Sequence, residues 1–296
     1  MWQESIYTKK EIKNKKSIEQ QILEIQGRIS ENEAKVWLYK FLKENPTFLL
    51  DTIAGVELYP FQHILIKGMM ESDYSMLVAS RGIGKSFLTA LAVIQIALFN
   101  PGWEIGVLAN SFRQAKTILK KIEDISQKPE ATLLRACIGD IRKANDEWTL
   151  KIGNAVIHCL PMGSGEKLRG FRFNALAIDE FLLFQESVFT DIIIPFLSIP
   201  YEPKKRSNIQ KVEDELIEKG EMTEDERTEF TNNKLIILSS ASYKFDYLYK
   251  LYDQWYKSMT DKEYTGNDKG IKKFIAQLSY DIAPKGLYDE KFVEQG

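Results

Sequence analysis

The octapeptide Ala79-Ser80-Arg81-Gly82-Ile83-Gly84-Lys85-Ser86 constrains this chain more than any other stretch of it. It joins a short apolar run, Ser75–Ser80, that reads as a buried strand to a longer one, Lys85–Phe99, that reads as a helix. A glycine turn at such a junction lets consecutive backbone N–H groups curl toward one point, and the helix adds the positive end of its dipole. That is an anion-binding arrangement. From Gly84 onward the residues fit the Walker A pattern, with Ala79 where its first glycine usually stands. Ser80, Arg81, Gly82, Ile83, Gly84, Lys85 and Ser86 are therefore expected to line the phosphates of a nucleotide. Lys85 supplies a point charge to the β- and γ-phosphates, and the Ser86 hydroxyl is a ligand for Mg²⁺.

A nucleotide hydrolase needs a second strand that delivers an acid to the magnesium. Asn174–Asp179 is an apolar run ending in two carboxylates, Asp179 and Glu180. Successive residues at a strand end point different ways, so Asp179 can hold the Mg²⁺ shell while Glu180 orients and polarises the attacking water. Lys234–Ser240 is another apolar run, and it ends in Ser239 and Ser240, hydroxyls suited to sensing a γ-phosphate beside the strand tip. Upstream, Leu58-Tyr59-Pro60-Phe61-Gln62 offers an amide, Gln62, for the edge of adenine and an aromatic, Phe61, to pack nearby. Pro60 also reads as a helix start, which is compatible with that role.

The remaining texture sets the fold class. Trp103–Asn110 reads as a strand and Ser111–Lys128 as a helix capped by Ser111. Residues 149–151 and 155–160 flank Gly153-Asn154 as a hairpin. Further segments are a helix from Glu186 to Leu197, an aromatic-rich helix through Tyr256 and a strand at Lys273–Tyr280. Strands alternating with crossover helices predict an α/β fold with a mostly parallel central sheet covered on both faces. Residues 201–233 break the rhythm: charges crowd there, as in Glu213-Asp214-Glu215, and the expectation is a partly helical, solvent-facing lid or insertion. Residues 1–45 are charged and helical in pattern, with an apolar stripe at Ile18, Ile22, Ile25 and Ile29.

Composition narrows the class further. Of 296 residues 44% are hydrophobic and 28% charged, enough apolar material for a real core. Lys+Arg 40 against Asp+Glu 42 provides no global basic field, so contact with nucleic acid must rest on local patches. Two cysteines, Cys137 and Cys159, and two histidines supply neither a disulfide framework nor a Cys/His metal cluster. The polar, lysine-rich start lacks an apolar core for a signal peptide, and the longest apolar run is too short for a membrane span. The expectation is a soluble intracellular protein.

Taken in order, these pieces resemble the ATPase domain of the large terminase subunit, the genome-packaging motor of tailed bacteriophages. The likeness rests on the adenine motif at Phe61-Gln62, the P-loop at 79–86, the acidic strand end at Asp179-Glu180, and Ser239-Ser240-Ala241. In that family the last is called the coupling motif. Arg81 within the loop and Leu168-Arg169-Gly170 before the acidic strand also look like terminase features. The resemblance covers roughly 55–245, with similar architecture to about 285. It implies a P-loop NTPase of the ASCE type that uses ATP and Mg²⁺.

The resemblance also implies double-stranded DNA, a portal protein and a small terminase subunit as partners, in the host cell cytoplasm. It favours Arg169 as a finger acting on the adjacent subunit of a homo-oligomeric ring, with Arg81 assisting in its own subunit and the isolated domain monomeric. The implied layout is a helical segment at 1–54, the ATPase domain at 55–285, and at 286–296 the start of a linker to an RNase H-type nuclease. No nuclease residues are assigned. Two other readings are a helicase-type ATPase, for which no second P-loop-like half is visible after Ala241, and an ATP-gated switch, which has no need of Glu180.

Overall fold

A computed structural model describes residues 31–80, 82–145, 147–162, 168, 170–240, 246–266 and 268–282. The chain divides into two units, residues 1–45 and 46–296. In the first, helix α1 (Glu31–Glu44) stacks Trp37 on Phe41 at 5.3 Å and exposes Val36, Leu38 and Tyr39. The isoleucine stripe at 18–29 lies outside the described residues.

The second unit is built on an eight-stranded sheet. Its strands are β1 (Tyr74–Ala79), β2 (Glu104–Ala109), β3 (Ile138–Lys143), β4 (Trp148–Ile152), β5 (Ala155–Pro161), β6 (Ala175–Ile178), β7 (Lys234–Ser239) and β8 (Lys273–Leu278). Their order is β3-β4-β5-β2-β6-β7-β1-β8, parallel from β5 to β8, with an antiparallel β3-β4-β5 meander at one edge. The expected hairpin is there: Ile152 faces Ala155 across a turn in which Gly153 takes φ 55°.

Alternation explains why the central strands read as unbroken apolar runs. Leu77, Ile105, Val107, Ala177, Ile236 and Leu238 face one core, while Met76, Val78, Leu108, Leu176, Ile178 and Ile237 face another. Period-two side chains in a sheet covered on both sides must be apolar at every position. The first core is closed by helices α2 (Pro46–Ala54), α3 (Pro60–Glu71), α4 (Lys85–Phe99) and α5 (Phe112–Ser126), with the short α6 (Thr132–Cys137) beside them. The second is closed by α7 (residues 186–196) and α9 (Tyr247–Thr260). Between these two in sequence, α8 (Pro203–Glu218) belongs to the charged segment.

Several details depart from the sequence reading. The division between units falls at 45/46 rather than 54/55, because α2 buries Leu49, Leu50 and Ala54 with the second unit. The helix read at 186–197 is composite. Its middle, Phe189–Ile193, is a wide turn in which the Ile194 N–H reaches back to the Phe189 carbonyl, next to Pro195, which has no N–H to give. The charges of 201–233 are not all spent on water. Glu213 is buried and accepts from the Thr228 N–H at 2.9 Å, and Arg206 donates to the Tyr201 and Thr231 carbonyls. Arg227 pairs with Asp214 at 2.7 Å, so the sixteen-residue helix is tied to the segment that returns toward β7.

Gly106 on β2 is packed closely against the second core. A Cβ there would lie 2.6 Å from the Leu176 Cδ2 and 3.2 Å from the Phe173 ring. Both neighbours are 1% exposed and have no room to withdraw. Gly106→Val is expected to destabilise the fold by about 1–3 kcal/mol through overpacking. A urea midpoint equal to that of the wild type would contradict this packing.

Candidate active site

In a parallel sheet all C-terminal strand ends lie on one side, where ligand sites form. Here that side collects the loop after β1, the acids after β6 and the hydroxyls at the end of β7. One strand, β7, stands between the loop-bearing β1 and the acid-bearing β6. The loop turns through Gly82 at φ 83° and Gly84 at φ 90°, backbone angles that a residue with a Cβ reaches only at a cost. Gly84 leads directly into α4, with its carbonyl receiving the Leu88 N–H.

Lys85 Nζ donates to the carbonyls of Ala79 at 2.6 Å and Ser80 at 2.9 Å, so the ammonium lies within the loop. Ser86 Oγ donates to Asp179 Oδ2 at 3.2 Å, which brings the two expected Mg²⁺ ligands together across 93 residues of chain. The other carboxylate oxygen of Asp179 accepts from the Glu180 N–H at 3.0 Å. Asp179 is 8% exposed, and burial pushes its carboxyl above the ordinary carboxylate range; the Glu180 N–H, the Ser86 hydroxyl and Lys85 pull it back. The donor set fits a hard divalent cation, which takes oxygen ligands and would offset the cost of a buried carboxylate charge. Among the described residues no cluster of three or more His, Cys, Asp or Glu suggests another metal site.

Glu180 has φ 54° and ψ 46°, one of two described non-glycine residues in the left-handed region. Such backbone costs about 1–3 kcal/mol and is found where function demands a particular side-chain direction. The chain then turns through 181–183, and the Leu182 N–H donates to the Ser239 hydroxyl at 3.1 Å. Ser239 is fully buried, so the tip of β7 is joined to the turn that follows Glu180. Ser240 sits half-buried one residue further.

Gln62 lies in the first turn of α3, where its Oε1 accepts from the Tyr59 N–H at 3.0 Å. A side-chain carbon built on Gly84 would be 3.7 Å from Gln62 Nε2, so this amide borders the phosphate loop. Phe61 is buried and stacks against Tyr59 at 6.2 Å between ring centres. Ile83 is buried beneath the loop, and Gly82 is exposed at its crown. Arg81 and Arg169 lie outside the described residues.

One partner of the acids escaped the sequence reading. Gln114, in the first turn of α5, donates from Nε2 to Glu180 Oε2. The sequence signal for it is Ser111-x-x-Gln114, the capping-box spacing.

Residues 76–194 match the family described as terminase large subunit, T4likevirus-type, N-terminal. No curated protein sequence matches the chain. Among solved structures, the large terminase of a thermophilic bacteriophage in complex with ADP is similar at 11% identity and TM-score 0.54, over 81% of this chain and 50% of that one. The HK97 bacteriophage large terminase aligns at 17% identity and TM-score 0.49, over 78% of this chain and 40% of that one. The Thermus phage P74-26 large terminase ATPase domain aligns at 14% and TM-score 0.48, over 82% and 88%. The chain thus spans half or less of the whole large terminases it matches and most of the isolated ATPase domain. At 11% identity the likeness to the ADP complex, of TM-score 0.54, carries the fold alone. In matched sequence and in fold, the chain resembles the ATPase domain of phage large terminases.

Proposed function

We propose that this chain is an ATP-hydrolysing motor domain of a phage large terminase subunit, coupling hydrolysis to the translocation of double-stranded DNA into a procapsid. The observation that carries the reading is the convergence of Lys85, Ser86, Asp179 and Glu180 at one end of the parallel sheet, with Ser86 and Asp179 3.2 Å apart. In this reading the loop N–H groups and Lys85 bind the phosphates, and Gln62 reads the adenine edge with Phe61 packed behind it. Ser86 and Asp179 hold Mg²⁺, which would draw charge from the phosphate oxygens when bound. Glu180 orients and polarises the attacking water. Ser239 and Ser240 respond to the γ-phosphate, and the Ser239–Leu182 hydrogen bond links that response to the segment after Glu180.

The layout we propose has the ATPase domain running to about 285, with 201–233 as a lid or insertion at its surface. The partners are double-stranded DNA, a portal protein, a small terminase subunit and further copies in a ring, and the setting is the host cell cytoplasm. Among the described residues no helix is long and apolar enough to cross a membrane. The test is steady-state ATP turnover with and without double-stranded DNA, beside a strand-separation assay. Stimulation by DNA without unwinding is the expected result. Unwinding, or ATP binding with no turnover under any condition, would overturn the proposal.

The ring makes a further demand. Phosphoryl transfer spreads negative charge over the γ-phosphate oxygens, and an arginine brought to it contributes roughly 10³–10⁵ in rate. In our reading Arg169 provides it to the neighbouring subunit and Arg81 acts within its own. Arg169→Ala and Glu180→Gln proteins, each nearly inactive alone, are therefore expected to recover part of the activity when mixed. Mixed interfaces then pair an intact Glu180 with an intact Arg169. Mixed oligomers that form without recovery rule out action across the interface.

A further inference from the structure

We infer that Gln114 is the positioning residue for Glu180, a role that rests on the hydrolase reading above and adds a component to it. The two are 66 residues apart in sequence and meet because β2 and β6 are neighbours in the sheet, so the start of α5 stands beside the end of β6. Asp179 and Glu180 follow β6 directly, and Ser111 and Gln114 open the helix after β2.

The direction of the Gln114 amide is determined by its other end. Oε1 accepts from the Ser111 backbone N–H at 3.1 Å and from the Ser111 hydroxyl at 3.0 Å, while the Gln114 N–H turns back to Ser111 Oγ. Rotating the amide by half a turn would set its NH₂ against the Ser111 N–H and its oxygen against the Glu180 carboxylate. Both contacts are repulsive. The helix cap therefore forces Nε2 toward Glu180, and a donor facing a carboxylate makes a charge-assisted hydrogen bond.

That bond restrains the side chain whose backbone is already held in the left-handed region at φ 54°. A carboxylate that must align a water gains rate from being fixed in direction, and misplacement by about 1 Å can cost on the order of 100-fold. Gln114 does not touch phosphate or water in this account; it acts through Glu180.

The capping box supplies a discriminating variant. Glutamate serves as well as glutamine at the third position of the box, so Gln114→Glu keeps the acceptor for Ser111 and turns the donor facing Glu180 into a second carboxylate. In the full chain with double-stranded DNA, kcat for Gln114→Glu is expected to fall at least about 10-fold, with KM for ATP within about threefold, while the two carboxylates brought together lower the unfolding midpoint by a few degrees. Ser111→Ala is the structural control: it removes the cap hydroxyl but keeps the Ser111 N–H that fixes the direction of the Gln114 amide, so the unfolding midpoint falls by a few degrees with kcat within about threefold of wild type. In a Glu180→Gln background, Gln114→Glu is expected to add less than about a twofold further loss, because a residue acting only through Glu180 has nothing left to position.

Each other outcome overturns the inference. Wild-type kcat in Gln114→Glu, a rise in kcat that marks the contact as a brake, a loss in Ser111→Ala as large as in Gln114→Glu, or additive losses in the double variant would each do so. A wild-type protein with no turnover overturns the hydrolase reading and this role together. An active wild type beside an unaffected Gln114→Glu overturns this role alone.

Discussion

Lys85→Ala is expected to weaken ATP binding by about 10- to 100-fold and to remove measurable turnover. The range follows from what a charge-assisted contact to a phosphate contributes, about 1.5–3 kcal/mol. The Lys85 ammonium lies within hydrogen-bond reach of the Ala79 and Ser80 carbonyls, inside the turn formed by Gly82 and Gly84. A nucleotide entering the loop meets the charge already in place and spends little on ordering a long side chain. In the alanine variant the backbone N–H groups and the dipole of α4 remain, so weak binding survives. The fold is expected to stay intact, since Lys85 is half-buried and the apolar body of α4 begins at Leu88. Isothermal titration with a slowly hydrolysed ATP analogue reads binding, and circular dichroism reads the fold. Affinity unchanged in a folded variant would show that Lys85 faces something other than the phosphates.

How much of this was legible in the sequence depends on the range of the interaction. The helix Lys85–Phe99 and the strands around it announce themselves because strand runs buried on two faces and a helix buried all round leave long apolar stretches with glycine between them. β3 was invisible for the opposite reason. Asp140, Arg142 and Lys143 are exposed on an edge strand, where neither face needs apolar residues. For α2, nothing local in the sequence shows that Leu49, Leu50 and Ala54 are buried with the second unit. The buried Glu213 reads as one more charge until its bond to the Thr228 N–H is known.

The candidate site divides the same way. Loop, acids and hydroxyls stand at strand ends and could be picked out by type and position. The bonds between them could not. Ser86 to Asp179, Leu182 to Ser239 and Gln114 to Glu180 all depend on strand order, which no local pattern encodes. The left-handed backbone at Glu180 is illegible for a related reason: glutamate has no preference for that region, and the surrounding bonds impose it.

Glu180→Gln is expected to reduce kcat by about 100-fold or more, the scale of general-base catalysis, while ATP and Mg²⁺ binding stay within about threefold of wild type. The substitution is nearly isosteric. A glutamine oxygen can still accept from Gln114 Nε2, and the backbone N–H that bonds Asp179 Oδ1 at 3.0 Å is untouched. What disappears is the negative charge that polarises water. The loss should therefore fall on kcat, with KM steady, and single-turnover measurements should place it at the chemical step rather than at product release. A companion variant separates chemistry from architecture. Glu180→Gly removes the side chain from a position at φ 54°, where glycine is unstrained, and its greater freedom in the unfolded chain offsets that relief. Its stability should lie within about 1 kcal/mol of wild type, although it forfeits the bond to Gln114, and its turnover should be as low as that of the glutamine variant. A position that tolerates glycine in folding but loses turnover with both glycine and glutamine is one whose strain serves the reaction. Near wild-type hydrolysis by Glu180→Gln would remove Glu180 from the catalytic role and leave its left-handed backbone without a functional reason.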